Sequence, residues 1–275
     1  MRLEGRTALV TGAGSGIGRA LAVEAAERGV VVYLAGRQLS KLQQTRDLLA
    51  PGATAYCIEA DITTAAGRLA IKTTIEHSGR ALDVLVNNAG YIATGALLDV
   101  SDAEVSQMIA TNLIAPILLT RDLLPLLEWP RGARIVNIGS VYGDIAAPDF
   151  AVYAATKFGL RGLSDALRRE LATARIGVTY AAPRATETEG IEHISEALKR
   201  QGNRFDDPAT VARWIWSAVE RERRSVYPPT VERLFVAIQR AFPALIDRAL
   251  SKRPARAPRR TEAAGAGTTD PSRLA

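Results

Sequence analysis

The sequence predicts an α/β protein: a doubly wound parallel sheet with helices on both faces, in a single domain. Three observations predict it. Short, continuously apolar runs alternate with longer amphipathic ones along most of the chain. The apolar runs are rich in valine, isoleucine and leucine with no polar alternation, as strands buried on both faces are. A glycine-rich turn joins the first apolar run to the first amphipathic one, and such turns bind ligands at the carboxyl edge of a parallel sheet.

The elements follow in order. Thr7 to Val10 is a strand and Gly16 to Arg28 a helix. Val30 to Ala35 is a strand, Lys41 to Leu49 a helix, Thr54 to Ile58 a strand and Ala65 to His77 a helix. Leu82 to Val86 is the fourth strand, and Ala103 to Leu127 a long helix expected to bend near Pro116, where proline removes an internal hydrogen bond. Arg134 to Ile138 is a strand, Val152 to Ala172 a long helix and Gly177 to Ala181 the sixth strand. Glu189 to Asp207 turns polar and charged, with room for a short helix; Pro208 to Glu220 is helical, and Ser225 to Tyr227 reads as a last edge strand ended by Pro228-Pro229.

Beyond this body, residues 1–229, an amphipathic helix is expected over 230–251. Val231, Leu234, Phe235, Ile238, Phe242 and Leu245 recur at helical spacing, with a bend at Pro243. Residues 252–275 are rich in Pro, Arg, Ala, Gly and Thr, have little to bury and are expected to be a disordered basic tail.

Composition narrows the function. Cys57 is the single cysteine, which excludes an intrachain disulfide and fits a reducing, cytoplasmic setting. Its short apolar run places it in the core. No signal-peptide pattern opens the chain, and no run reaches the roughly 20 apolar residues of a membrane span. The net charge is +6, but six basic and two acidic residues after Ser251 hold +4 of it. The body is therefore near neutral and lacks the basic footprint of a nucleic-acid binder.

The first strand runs into Thr11-Gly12-Ala13-Gly14-Ser15-Gly16-Ile17-Gly18, and a helix follows. Glycines there let the backbone approach a pyrophosphate, and the helix N-terminus offers free N–H groups and a positive dipole end. Such turns also serve packing alone; the strand before and the helix after weigh against that. NAD readers carry an acid about 20 residues further on. At that place stands Arg37, whose guanidinium suits a 2′-phosphate. The expected cofactor is NADP(H), with NAD(H) second.

Tyr153 and Lys157, four apart at a helix start, share one face. A nearby cation favours the phenolate of a tyrosine that otherwise titrates near about 10, so the pair can serve as an acid–base device. Chance also supplies such pairs on helix surfaces. Ser140, at the carboxyl end of the fifth strand, can hydrogen-bond a substrate oxygen. Asn112, a poor helix former inside a helical stretch, needs a reason such as holding a water or kinking the helix.

Together these residues resemble the short-chain dehydrogenase/reductase superfamily in its compact, Rossmann-type form, over roughly Leu3 to Tyr227. The resemblance rests on Thr11 with Gly12, Gly16 and Gly18, on Asp61, on Asn87-Asn88-Ala89-Gly90, and on Asn112, Ser140, Tyr153 and Lys157. It implies hydride transfer between a nicotinamide cofactor and a carbonyl or alcohol carbon. Tyr153 then exchanges the proton at the substrate oxygen, and Lys157 binds the nicotinamide ribose and lowers the Tyr153 pKa. Ser140 positions the carbonyl and Asn112 holds a relay water. Implied cofactor contacts are Gly12, Ser15, Gly16, Ile17 and Gly18 at the phosphates, with Arg37, Asp61 and Ile62 on the adenosine side. Asn88, Ala89, Gly90, Tyr153, Lys157, Pro183, Thr186 and Thr188 follow along the cofactor. In the NADP-using branch a basic residue often stands at the position of Ser15, which is not basic here. The family's Pro-Gly after the sixth strand reads Pro183-Arg184; a local loop adjustment is expected, or a reach by Arg184 toward cofactor or an acidic substrate.

The loop after Ser140 is largely apolar, so the expected substrate is a hydrophobic ketone, aldehyde or secondary alcohol. The helix over 231–250 can pack on its own domain, join subunits into a homo-oligomer, or lie on a membrane surface with its arginines at the headgroups. One rival reading is a non-catalytic NADP-binding redox-sensing or scaffolding protein; the presence of the Ser, Tyr and Lys together argues against it. An epimerase or dehydratase on a related fold would need a longer substrate domain.

Overall fold

The computed structural model describes residues 1–127, 132–189, 205–229 and 231–251. The basic tail lies outside them, as does most of the stretch expected to hold a short helix before Asp207.

Seven parallel strands form one sheet in the order β3-β2-β1-β4-β5-β6-β7. They are β1 (Thr7–Thr11), β2 (Val31–Gly36), β3 (Ala55–Glu59), β4 (Val84–Asn87), β5 (Ala133–Ile138), β6 (Ile176–Ala181) and β7 (Ser225–Val226). Every residue of β1, β4 and β5 is buried, as the apolar runs predicted. The order reverses between β1 and β4, which opens a crevice at the carboxyl edge there. Leu82, expected to begin β4, instead makes an isolated parallel bridge to Leu127. Cys57, expected in the core, is half-buried on edge strand β3.

Helices cover both faces. On one face, α1 (Gly16–Glu27) packs against α7 (Pro208–Glu220), and Trp216 Nε1 donates to the Leu21 carbonyl at 2.9 Å. On the other lie α3 (Ala65–His77), α5 (Ala115–Leu123) and α6 (Ala151–Glu170), sharing a core of Ile71, Ile75, Leu119, Leu123 and Leu167. Helix α2 (Leu39–Asp47) follows β2. Local chemistry sets helix starts: Thr64 accepts from the Gly67 N–H, and Ser101 and Glu104 form a capping box at α4 (Asp102–Ile109). At α7, Asp207 accepts from the Thr210 N–H while Pro208 fills the first turn.

The long helix expected over Ala103 to Leu127 departs from regularity around Asn112, one turn before Pro116. A π segment, Ala110–Ile114, joins α4 to α5 with the backbone still helical, and it precedes Pro116, which has no N–H to give the Asn112 carbonyl. By length and hydropathy the stretch Asp102–Leu126 could cross a membrane. Its Met108, Leu119 and Leu123 are instead fully buried in the protein core.

The segment expected as one helix with a bend at Pro243 holds two helices. They are α8 (Glu232–Ala241) and α9 (Pro243–Leu250), separated at Phe242.

Candidate active site

One cleft of about 1460 Å³ runs along the carboxyl edge of the sheet. That exceeds the roughly 300–1,000 Å³ of a pocket for one drug-sized ligand and leaves room for a dinucleotide and a substrate together. The strand ends deliver the candidate residues to it: Gly12 to Gly18 from β1, Arg37 from β2, Asp61 and Ile62 from β3, Asn88 to Gly90 from β4, Ser140 from β5, and Pro183, Thr186 and Thr188 from β6. Tyr153 and Lys157 enter from the first turns of α6. Asn112 alone of the predicted set stands behind the wall; it is buried.

The glycine turn fits a pyrophosphate. Gly12 has φ +65°, a left-handed conformation that glycine adopts without strain. A Cβ at Gly18 would stand 2.1 Å from the Gly12 carbonyl oxygen, and one at Gly16 would stand 2.8 Å from Thr188 Cγ2. The backbone is therefore as close to its neighbours as glycine allows. Ser15 is the N-cap of α1, yet its side chain caps no N–H, so that helix end faces the cleft without a side-chain acceptor. Asn88 closes the cradle: its Nδ2 donates to the Thr11 carbonyl at 2.8 Å, while its own N–H donates to Thr11 Oγ1 at 2.9 Å.

At the adenosine end, Asp61 Oδ1 accepts from the Thr63 N–H at 2.9 Å and from the Thr63 hydroxyl at 2.7 Å. Burial raises the Asp61 pKa, but the Thr63 hydrogen bonds and the Arg37 charge outweigh it and hold the carboxyl below its usual range. Ser15 provides no cation, as the sequence showed, but α2 does. Lys41 lines the cleft beside Gly14, where an added Cβ would be 3.0 Å from Lys41 Cβ. Lys41 Nζ is paired with Glu189 at 2.8 Å, and Arg19 approaches the same carboxylate at 3.6 Å. The sequence reading missed Lys41 because its placement depends on how α2 packs on the glycine turn.

At the catalytic end, the Ser140 hydroxyl accepts from the Tyr142 N–H at 3.1 Å. Its backbone is gripped by Tyr180 of β6, whose hydroxyl donates to the Ser140 carbonyl at 3.1 Å. Gly139 and Gly143 flank Ser140, and a Cβ on either would stand 2.2 Å from the Tyr180 phenol group. The sequence reading missed Tyr180; those two glycines were its available trace. Asn112 spends its amide on protein partners. Its Oδ1 accepts from the Tyr91 N–H and its Nδ2 donates to the Tyr91 carbonyl, both at 2.8 Å. Nδ2 also donates to Thr156 Oγ1 at 3.2 Å, and that hydroxyl donates to the Tyr153 carbonyl at 2.7 Å. The side chain thus ties the loop after β4 to the turn that carries Tyr153.

Lys157 Nζ donates to the Ile138 carbonyl at 3.0 Å and lies 5.6 Å from the centre of the Tyr153 ring. The expectation that Lys157 lowers the Tyr153 pKa is not met. Burial pushes the phenol up to about 12, and the Ser140 hydroxyl beside it opposes that push. Lys157 itself is buried, which brings it down to about 8 and weakens it as a cation.

Apolar groups line the substrate side. Tyr142 packs on Phe150 at 4.7 Å and edge-on to Tyr153 at 6.3 Å between ring centres. Ile92, Ala147 and Phe205 join this cluster, and Val231 and Phe235 of the C-terminal segment face the cleft. Arg184, in the place of the family's glycine, has no left-handed backbone. It lines the cleft and pairs with Asp206 at 2.6 Å and Glu232 at 3.0 Å. Arg240, half-exposed, reaches back toward the loop after Ser140. It meets the buried Asp144 at 2.8 Å, as does Arg161 at 2.5 Å.

The chain matches the short chain dehydrogenase family over residues 6–199, and it belongs to that family of oxidoreductases, which use a pyridine-nucleotide cofactor. It is similar to the 3-oxoacyl-(acyl-carrier-protein) reductase FabG of Escherichia coli K12, with 36% identity over 196 residues that cover 71% of this chain and 80% of that one. A short chain dehydrogenase from Burkholderia cenocepacia J2315, solved in complex with NADP, superposes with a TM-score of 0.73 at 29% identity, covering 82% of this chain and 95% of that one. A Burkholderia phymatum short chain dehydrogenase/reductase, solved in complex with NAD, shares the fold with a TM-score of 0.79 at 23% identity, covering 93% and 98%.

Proposed function

We propose that the protein reduces an apolar ketone or aldehyde with NADPH, and that Tyr153 supplies the proton. The carrying observation is the convergence of Tyr153, Ser140 and Lys157 on the cleft that also holds the glycine cradle. A nicotinamide cofactor bound in that cradle supplies the hydride to the carbonyl carbon. The Ser140 hydroxyl holds the carbonyl oxygen, and the Tyr153 phenol donates its proton to that oxygen as charge develops on it. Solvent then returns the proton to Tyr153. Burial pushes the Tyr153 phenol up to about 12, so at neutral pH it is present in the protonated form that this step uses. Asn112 serves as the clamp that sets Tyr91 and, through Thr156, the Tyr153 turn.

Three residues support NADPH over NADH. Arg37 follows β2 where an NAD reader would carry an acid, and Lys41 adds a second cation from α2, with Arg19 behind it. The aromatic and aliphatic lining supports an apolar substrate, and FabG, a relative, acts by name on a 3-oxoacyl group. The test is NADPH and NADH consumption against a panel of carbonyl compounds. Turnover of small charged keto acids alone, or a higher kcat/KM with NADH, sinks the respective part of the proposal.

A further inference from the structure

The helix pair α8–α9 carries more apolar surface than the body covers. Leu234, Phe242 and Leu245, none of which lines the cleft, are each between 54 and 64% exposed. The inner face of α8 is accounted for: Glu232, Val236 and Arg240, spaced four apart, meet Arg184, the core and Asp144 respectively. Helix α9 has no buried residue and packs against α8. Eight residues are too few for a helix to hold itself in water, so the outer apolar face needs something to lie on.

The charge of this region selects the occupant. Residues 231–275 hold nine Lys or Arg and four Asp or Glu, so +5 of the chain's +6 sits in its last 45 residues. Residues 231–251 carry +1 and residues 252–275 the other +4, so a second copy adds positive charge and no answering anion, which disfavours self-association. A nucleic acid would answer the charge and leave the phenylalanine and leucines in water. An anionic lipid surface answers both: apolar side chains enter the acyl boundary while cations meet the headgroups. We propose that α8 and α9 dock the protein on the surface of an anionic bilayer, lying in the plane of the interface. Arg233 and Arg248, both exposed, are the headgroup contacts within the helices. Val231, Phe235 and Leu250 also line the cleft, so docking sets one wall of the active site against the lipid. The proposal stands on exposure and charge and is independent of the substrate reading.

The test is co-sedimentation of the full chain with vesicles of phosphatidylcholine alone or with about 30% phosphatidylglycerol, at low and at high salt. Binding is expected with the anionic vesicles, strongly reduced without phosphatidylglycerol. Two variants separate the contributions: Leu234→Ser/Phe242→Ser/Leu245→Ser, and Arg233→Gln/Arg248→Gln, each checked for an unchanged melting curve. The apolar triple variant should lower the partition coefficient at least about tenfold, and the arginine variant should lower it at low salt and much less at high salt. Three results overturn the proposal: no sedimentation above the vesicle-free control, equal binding to neutral vesicles, or binding that the triple variant leaves intact. A concentration-dependent dimer that the triple variant dissolves, in a protein that ignores vesicles, would overturn it in favour of a second copy.

Discussion

The Tyr180 hydroxyl donates to the Ser140 carbonyl at 3.1 Å and accepts from the Ser140 N–H at 3.4 Å. One phenol on β6 therefore grips both backbone groups of the residue that is to hold the substrate oxygen. Tyr180 does not line the cleft; it is a positioning residue. Tyr180→Phe leaves buried backbone groups without this partner, at a cost of roughly 1–3 kcal/mol, and should lower Tm by several degrees. If positioning matters, kcat also falls while KM for NADPH holds. A lowered Tm with unchanged kcat would reduce Tyr180 to a structural role.

Cofactor choice is predicted to rest on Arg37 and Lys41. Losing one charge-assisted contact to a 2′-phosphate removes about 1.5–3 kcal/mol, so Arg37→Ala or Lys41→Ala should raise KM for NADPH by about ten- to a hundredfold and leave KM for NADH nearly unchanged. Glu189 competes for the Lys41 ammonium, and Glu189→Gln should lower KM for NADPH. Equal effects of the two cation-removing substitutions on both cofactors would show that neither residue reads the 2′-phosphate.

The pH dependence should report Lys157 before Tyr153. Burial brings Lys157 down to about 8, so its ammonium is complete below that pH and is lost as pH rises through it. Tyr153 stays protonated to about 12. The value of kcat/KM for NADPH, which reports the free enzyme, should therefore be level well below pH 8, fall to half at about 8 and keep declining above it. A profile level through pH 10 would mean that the charge on Lys157 is not needed for cofactor capture.

Arg184→Gly would restore the residue usual in the family and is predicted to harm this protein. The backbone at 184 is not left-handed, so glycine relieves nothing, while Asp206 and Glu232 each lose the pairing with Arg184. Breaking these partly buried pairs should cost on the order of 1–3 kcal/mol and loosen α8. Thermal unfolding gives the answer; a Tm equal to or above that of the parent protein would contradict it.

Much of this was legible in the sequence because its signals are local. The glycine turn lies within eight residues, Tyr153 and Lys157 within one helical turn, and Ser140 directly follows its strand. What was not legible depends on elements far apart in the chain. Lys41 reaches the glycine turn through the packing of α2, and Asp144 finds Arg161 and Arg240 from three separate segments. The bend expected near Pro116 lies one turn before it, as the π segment, while the buried bonds of Asn112 to Tyr91 and Thr156 join elements far apart in the chain. The sign of the Tyr153 shift was missed because charge proximity can be read from spacing but burial cannot.

The central claim is that Tyr153 gives the proton that completes carbonyl reduction. The most direct measurement is kcat for NADPH-dependent reduction of the best apolar ketone by Tyr153→Phe, with NADPH affinity followed separately by fluorescence. Removing the hydroxyl takes away the general acid and leaves the ring that packs on Tyr142. The account predicts a fall in kcat of about 10²- to 10⁴-fold with NADPH affinity nearly unchanged. A variant that keeps the parent kcat would contradict it.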